Sequence, residues 1–209
     1  MAQKFMSPIG CEEGKLYPIT ETPTSLTYDE PTDMSGLKTF GLALTLAEAA
    51  QYGDDVMLDQ LSDISGGTIT EQTAGETKGM LDFLSGRDPA AGVPAISARN
   101  VAPVLGHSLL CRLRGKEEAS ANDGWRAWFF YKVKFAPTSH AATGKTDSIA
   151  YGVTDLTAAM LANHDKDFAD FEDFLGATAL EDARAWIREK AGLPATPPTP
   201  PTPPTPPTP

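Results

Sequence analysis

The feature that most constrains the fold is the stretch Trp125–Phe135, which reads WRAWFFYKVKF. Apolar side chains recur at every second position, so one face is predicted to carry Ala127, Phe129, Tyr131, Val133 and Phe135. Aromatic and β-branched residues also favour strands. The stretch is therefore predicted to be the longest strand of the protein. We expect the face that carries Phe129 to meet the core. The opposite face carries Trp128 and Phe130, which a wholly solvated face would not need, so we expect it to be half-hydrated.

A second alternating segment, Leu109–Arg114, lies just upstream, and residues 115–124 between the two segments are rich in turn formers. This arrangement predicts a long antiparallel β-hairpin. The basic residues of the hairpin are unusual in an acidic chain, and two interpretations stay open: a solvated basic face, or a contact with another subunit. In the second, the candidate interface residues are Arg112, Arg114, Arg126, Trp128, Phe130, Lys132 and Lys134.

Charge and cysteine content exclude several classes of protein. The 209 residues carry a formal net charge of -11. A general nucleic-acid binder needs cations to displace counterions from phosphate, and an anionic membrane surface would repel this chain. No apolar run approaches the length of a membrane span. Cys11 and Cys111 are far apart and suggest no disulfide framework, which favours synthesis in a reducing cytoplasm.

Composition divides the chain into two parts. Residues 1–193 are enough for one domain with its own core. Residues 194–209 repeat Thr-Pro-Pro. Because proline fixes φ and removes backbone donors, this tail is predicted to be a polyproline II rod without a core.

Weaker patterns predict further elements within the domain. Short strands are predicted at Lys15–Ile19, Thr68–Gln72, Ser148–Val153 and Leu156–Leu161. Residues 35–46 alternate weakly, whereas residues 45–52 also fit a helix because alanine favours helices. The Gly66–Gly67 pair is interpreted as a break between elements.

Two helices are predicted. Residues 75–84 form the first, with Met80, Leu81 and Leu84 on one face. The second begins at a capping box, Thr178–Glu181, in which each side chain caps a backbone N–H of the other residue. It runs to about Lys190, and Ala191–Gly192 ends it. Its apolar stripe is Leu180, Ala183, Trp186 and Ile187.

Enzyme motifs are absent from the sequence. His107, His140 and His164 fall in separate segments without the spacing of metal ligands. The Gly66–Gly67 pair lacks the lysine of a phosphate-binding loop, and no serine sits in a nucleophile elbow. We therefore predict a binding or structural protein rather than an enzyme, with no cofactor and no metal.

Three segments together resemble the major tail proteins of long-tailed, non-contractile bacteriophages, which are the subunits of the tail tube. The first is Tyr52–Asp55 followed by Ser65–Thr70, similar to an acidic turn and the strand beyond it. The second, Tyr131–Phe135, is similar to the family's Tyr-Lys-Val-Lys-Phe strand. The third, Thr143–Tyr151, lies where the family has a loop. The resemblance covers most of residues 16–161, and Gly53 departs from it.

The resemblance implies a mainly β fold, a β-sandwich or half-open barrel with one or two flanking helices. Six copies would close into a ring, and rings would stack into a tube beside other tail proteins of the virion, after synthesis in the host cytoplasm. DNA would pass through this tube without tight binding, which suits an acidic chain. Candidates for exposed and partly lumenal charge are then Asp54, Asp55, Asp59 and Asp63.

Two other classes of function stay open. One is a different tube or ring component, such as a tail terminator or a secretion-tube protein. The other is a β-sandwich module for adhesion or carbohydrate binding, presented on the Pro-Thr stalk. Self-assembly separates these classes, because a tube protein forms rings whereas a lectin-like module stays discrete and binds glycan.

Overall fold

A computed structural model of the protein describes residues 6–22, 25–34, 36–53, 56–75, 80, 83–86, 102–115, 124–136, 153–162, 171–177 and 179–194. For residues 6–7, 49–53, 56–63, 115 and 176–177 it describes the backbone alone. The strands are β1 (Met6–Thr22), β2 (Ser25–Tyr28), β3 (Thr32–Met34), β4 (Leu37–Gly53), β5 (Val56–Thr73), β6 (Val104–Gly115), β7 (Gly124–Phe135), β8 (Thr154–Met160) and β9 (Phe171–Ala177). The helix α1 spans Leu180–Lys190. The predicted mainly β fold with a flanking helix is confirmed.

All nine strands belong to one antiparallel sheet, whose main path is β2-β1-β6-β7-β8-β5-β4. Strand β3 pairs with β1, and β9 pairs with β7. The sheet curls so that its ends approach each other. A Cβ atom built on Gly14 of β1 would lie 3.2 Å from Met34 Cβ and 3.7 Å from Leu37 Cδ2 of β4. Strands β1 and β4 therefore border one interior although they stand far apart in strand order.

The predicted hairpin is confirmed. Strand β6 pairs with β7 from Val104 opposite Lys134 to Leu113 opposite Gly124, and residues 116–123 lie outside the described residues. The expectation that this stretch is the longest strand is wrong, because β7 has 12 residues and β5 has 18.

Apolar side chains form two cores, one on each face of the sheet. The main core lies inside the curl and draws on β1 and on β3 to β8, and its larger members include Leu16, Ile69, Leu109, Trp128, Phe130 and Leu156. The outer core lies between the opposite face and α1, and consists of Tyr17, Leu110, Ala127, Phe129, Ala183, Ile187 and Ala191. Strand β7 is therefore buried on both of its faces.

A β-bulge in β7 interrupts the alternation that the sequence predicts. Phe130 pairs with His107 and Val133 with Leu105, so two residues of β7 lie opposite Gly106 alone. The extra residue reverses the faces: Ala127 and Phe129 belong to the outer core, whereas Val133 belongs to the main core. The expectation that Val133 and Phe135 share a face with Phe129 is therefore wrong.

Helix α1 ends near Lys190 as predicted, with Gly192 at φ 67° in the left-handed region. Its predicted apolar stripe packs into the outer core. The predicted capping box depends on Thr178, which lies outside the described residues. The N-cap residue of α1 is Ala179, without a side-chain cap hydrogen bond.

Several weaker predictions can now be judged. The strand at Lys15–Ile19 lies within β1, and that at Leu156–Leu161 overlaps β8. The helix alternative for residues 45–52 is wrong because β4 runs through them, and Gly66–Gly67 lies within β5 rather than breaking it. Of the helix at residues 75–84, the described Met80, Phe83 and Leu84 are helical. Residues 148–152 and the tail from residue 195 lie outside the described residues.

Candidate functional site

The two aromatic residues predicted for a subunit interface lie inside the protomer. Trp128 is 7% exposed and Phe130 is fully buried. The Phe40 ring centre lies 5.1 Å from that of Trp128, and the Phe171 ring stacks on Phe130 at 5.7 Å. The half-hydrated face is therefore a wrong expectation. Sequence alternation alone could not reveal that the sheet curls and covers this face.

The basic interface candidates do not form one patch. Arg126 binds Asp173 with 2.6 Å between Nη2 and Oδ2, and Lys132 binds Glu21 with 2.7 Å between Nζ and Oε1. Arg112, Arg114 and Lys134 are exposed. The two arginines lie near the turn end of the hairpin and Lys134 lies near its other end. Along β6, Arg112 lies eight residues beyond Val104, the residue that pairs with Lys134. At about 3.3 Å per residue, the two ends are roughly 26 Å apart.

The acidic candidates cannot be placed by their side chains. Asp54 and Asp55 lie outside the described residues, and Asp59 and Asp63 are described by their backbone within β5. Gly53, at the end of β4, lies opposite Val56, at the start of β5.

An extended arm is the feature that the sequence analysis missed. We define the arm as residues 46–53 of β4 and residues 56–64 of β5, which pair from Leu46 opposite Ile64 to Gly53 opposite Val56. Strand β8 pairs with β5 only over Gly67–Thr73, so the described residues give the arm no third strand. Eight residues at about 3.3 Å make it roughly 26 Å long.

The base of the arm is built by a second bulge. Thr45 lies opposite Gly66 and Leu46 lies opposite Ile64, so Ser65 is the extra residue, and its hydroxyl donates to Thr45 O at 3.2 Å. Beside it, a Cβ atom on Gly67 would lie 2.6 Å from Met160 Sδ. Glycine therefore lets β8 approach where the arm leaves the sheet.

Exposed leucines mark the same region. Leu44 is 40% exposed at the base of the arm and Leu46 is 53% exposed on it. Strand β4 stands at the end of the strand order, and no described residue pairs with its outer edge over the arm. Unpaired edges and exposed leucines are the features through which strands bind other chains. The sequence signal for this site was the apolar run at residues 40–50.

A polar pair lies buried in the main core. His107 Nε2 and Glu71 Oε1 are 2.8 Å apart, and both side chains are 0% exposed. The other ring nitrogen, Nδ1, lies 3.1 Å from Lys15 O. The His107 ring also stacks on Phe130, with 5.9 Å between ring centres. Glu71 Oε2 has no hydrogen-bond partner among the described atoms, so the carboxyl group depends on His107 for its described hydrogen bond.

A cleft with a volume of about 220 Å³ lies between α1 and β1. Its cations are already paired, because Arg184 contacts Glu13 and Arg188 Nη2 lies 2.8 Å from Glu30 Oε1. The hydrogen bonds from Arg188 lower the pKa of Glu30, and burial raises the pKa of Tyr17 at the cleft wall to about 12. The ion pairs that line the cleft therefore hold α1 against the rest of the fold.

The described residues offer little other chemistry. The described part of the chain holds no group of three or more His, Cys, Asp or Glu side chains placed to bind a metal ion. Among the same residues, no helix is long and apolar enough to cross a membrane. No protein-family model matches the chain, and no curated protein matches it. The arm and its open edge are thus the features that any functional proposal must explain.

Proposed function

We propose that the chain is a structural protein whose copies assemble into rings, hexameric by the resemblance to major tail proteins, that stack into the tail tube of a bacteriophage. The tube delivers DNA into the host cell. The chain would then reside in the virion tail, in contact with other tail proteins and with passing DNA that it does not bind tightly. The ordered motifs between residues 16 and 161 support this proposal, and so does the arm.

The observation that carries the proposal is the arm. An isolated two-stranded ribbon is marginally stable in water, yet β4 and β5 keep their pairing for eight residues beyond the sheet. Leu44 and Leu46 stay exposed there. A second copy of the chain supplies what the arm lacks, a strand edge or an apolar surface. Because the arm would meet a different surface of that copy, the contact is head-to-tail, and such a contact generates a ring when the rotation between copies closes.

Charge complementarity favours a second copy as the occupant. Residues 44–66 contain five acidic residues and no lysine or arginine. The exposed cations Arg112, Arg114 and Lys134 lie on other strands. An acidic arm is attracted to such cations on a neighbouring copy, and the attraction weakens in salt. Where the arm faces a channel instead, its acids repel phosphate.

Assembly is the test of the proposal. We expect the purified full-length chain to form rings or tubes in negative-stain microscopy, and to show ring-sized particles by light scattering. Replacing Leu44→Thr and Leu46→Thr keeps strand propensity and removes apolar surface. Each leucine still exposes about half of its surface, so we expect about 1 kcal/mol lost per residue in each contact. For the two leucines together, about 2 kcal/mol per contact corresponds to roughly a 30-fold rise in the protein concentration needed for assembly.

Leu175→Thr is the matched control, because Leu175 is 59% exposed on β9, away from the arm. It should assemble like the parent chain. Both variants should keep the free energy of unfolding of the parent chain within about 0.5 kcal/mol, as surface changes usually do. A parent chain that stays monomeric over a wide concentration range would overturn the proposal. Discrete particles that bind glycan would favour the adhesion module.

Two further experiments test parts of the proposal. Deleting residues 195–209 should leave assembly intact, because a segment with the predicted polyproline II conformation has no core to bury. Loss of rings in this truncation would show that the tail belongs to the assembly. Changing Asp54, Asp55, Asp59 and Asp63 to lysine separates the two roles of the arm's acids. A preserved tube with slower DNA delivery in an infection assay indicates acids that face the channel, since a basic channel binds phosphate, whereas loss of assembly indicates acids that contact the neighbouring copy. Delivery at the parent rate would refute the lumenal role of these acids.

A further inference from the structure

The two cysteines, 100 residues apart in sequence, meet across neighbouring strands. Cys11 of β1 lies directly opposite Cys111 of β6 in the register, and their sulfur atoms are 2.7 Å apart. Both are free thiols, and Cys111 is buried while Cys11 is partly exposed. Both side chains lie on the face of the main core.

The backbone around this pair suits a covalent bond. Side chains directly opposite each other in antiparallel strands have Cβ atoms about 4.5–5.5 Å apart, and a disulfide needs about 3.5–4.5 Å. Register shifts flank Cys11 on both sides, between Pro8 and Gly10 and between Cys11 and Glu13. Bulges bend and twist a strand locally, so β1 can close the remaining distance without disturbing the longer sheet.

The two thiols differ in reactivity. The hydrogen bond from Cys111 lowers the pKa of the Cys11 thiol, whereas the same hydrogen bond and burial raise the pKa of Cys111. The thiolate is the attacking form of a cysteine. Cys11, which is also the more exposed of the two, is therefore the thiol that meets an external reagent, and Cys111 is placed to resolve the product.

We propose that Cys11 and Cys111 are a redox modification site, at which a low-molecular-weight disulfide oxidises the two thiols to one disulfide that joins β1 to β6. The Cys11 thiolate attacks one sulfur of the reagent, which forms a mixed disulfide and releases one thiolate. Cys111 then gives up its proton and attacks the Cys11 sulfur, which releases the second thiolate. Both electrons pass to the reagent, and both thiol protons end on its two thiols.

The cross-link acts on the less supported half of β1. Over residues 6–13, this strand has β6 on one edge, and no described residue pairs with its other edge. A bond from Cys11 to Cys111 closes a long loop and restricts the unfolded chain. A chain made in a reducing cytoplasm and carried outside the cell would meet oxidants of this class only after release. The chemistry itself does not depend on the tube proposal.

The test uses the full-length chain in buffers of reduced and oxidised glutathione at several ratios. We expect the intact mass to fall by two hydrogens, free thiols to fall from two to none, and peptide mapping to find Cys11 joined to Cys111. The melting temperature of the oxidised chain should lie roughly 5–15 °C above that of the reduced chain. Thiols that stay free at oxidising ratios, or only links between chains, would overturn the proposal.

Single variants test the order of attack. In Cys111→Ser the resolving thiol is gone, so Cys11 should accumulate a stable glutathione adduct. In Cys11→Ser the remaining buried Cys111 should react at least tenfold more slowly. Equal adduct formation in both variants would refute the assignment of Cys11 as the attacking thiol. If either variant fails to fold, the mass and peptide map of the parent chain still decide whether the bond forms.

Discussion

The buried pair of His107 and Glu71 gives the sharpest prediction about stability. Lys15 O can only accept a hydrogen bond, so Nδ1 of His107, 3.1 Å away, carries a hydrogen. A second hydrogen lies in the 2.8 Å contact between Nε2 and Glu71 Oε1. His107→Leu removes both hydrogen bonds, and it leaves the Glu71 carboxyl without any described partner in a closed core.

The expected magnitudes follow from what each variant leaves unpaired. Removing one partner of a buried pair costs about 3–5 kcal/mol, so His107→Leu should lose this much free energy of unfolding. Glu71→Gln keeps a donor for Nε2 when Nδ1 holds the hydrogen, and should lose about 1 kcal/mol. The double variant His107→Leu with Glu71→Met leaves neither group unpaired, and should recover more than half of the loss.

Urea unfolding followed by tryptophan fluorescence measures these differences, because Trp128 lies in the same core. From the most to the least stable, the order should be the parent chain, Glu71→Gln, the double variant and His107→Leu. Circular dichroism before denaturation shows whether each variant folds. A loss below about 1 kcal/mol for His107→Leu would refute the reasoning, and so would a double variant less stable than His107→Leu itself.

Three further predictions concern single contacts. Tyr28→Phe should cost about 1 kcal/mol in urea unfolding, because the Tyr28 hydroxyl donates to Tyr131 O in the bulge at 2.9 Å; an unchanged midpoint would show that water satisfies this carbonyl equally well. Ala179→Ser should raise stability by about 1 kcal/mol by supplying the missing N-cap, and no gain in urea unfolding would contradict this. The hydrogen bonds from Arg188 lower the pKa of Glu30, so the stability that this ion pair contributes is present above the usual pKa of a glutamate and is lost as pH falls through the lowered pKa. Glu30→Gln should therefore flatten the acid loss of stability, and an equal slope in acid titrations would refute it.

Local patterns were enough to predict the elements that depend on local interactions. The hairpin of β6 and β7 follows from two alternating segments and a turn-rich linker. The apolar stripe of α1 follows from helical spacing, and Leu180 and Ile187 do lie in or against the outer core. In each case the residues that decide the structure are close in sequence, so their pattern carries the information.

Long-range pairing could not be predicted in the same way. The contact of Cys11 with Cys111 depends on the register between β1 and β6, and the pair of Glu71 with His107 depends on the curl of the sheet. The spacing of residues in a single sequence reveals neither of these two contacts. Trp128 shows the consequence. The sequence pattern around it is that of a half-exposed face, and its burial against Phe40 depends on the position of a distant strand.

Bulges explain where strand alternation misled most. The period of two assumes that every residue of one strand faces one residue of the next. In β7 the extra residue moves Val133 into the main core. In β5 the extra residue, Ser65, lies where the sheet ends and the arm begins. Each bulge lies where a strand changes the surface that it contacts. A pattern that breaks inside an apolar strand, as at Ser65–Gly67, is therefore better interpreted as a change of partner than as the end of the strand.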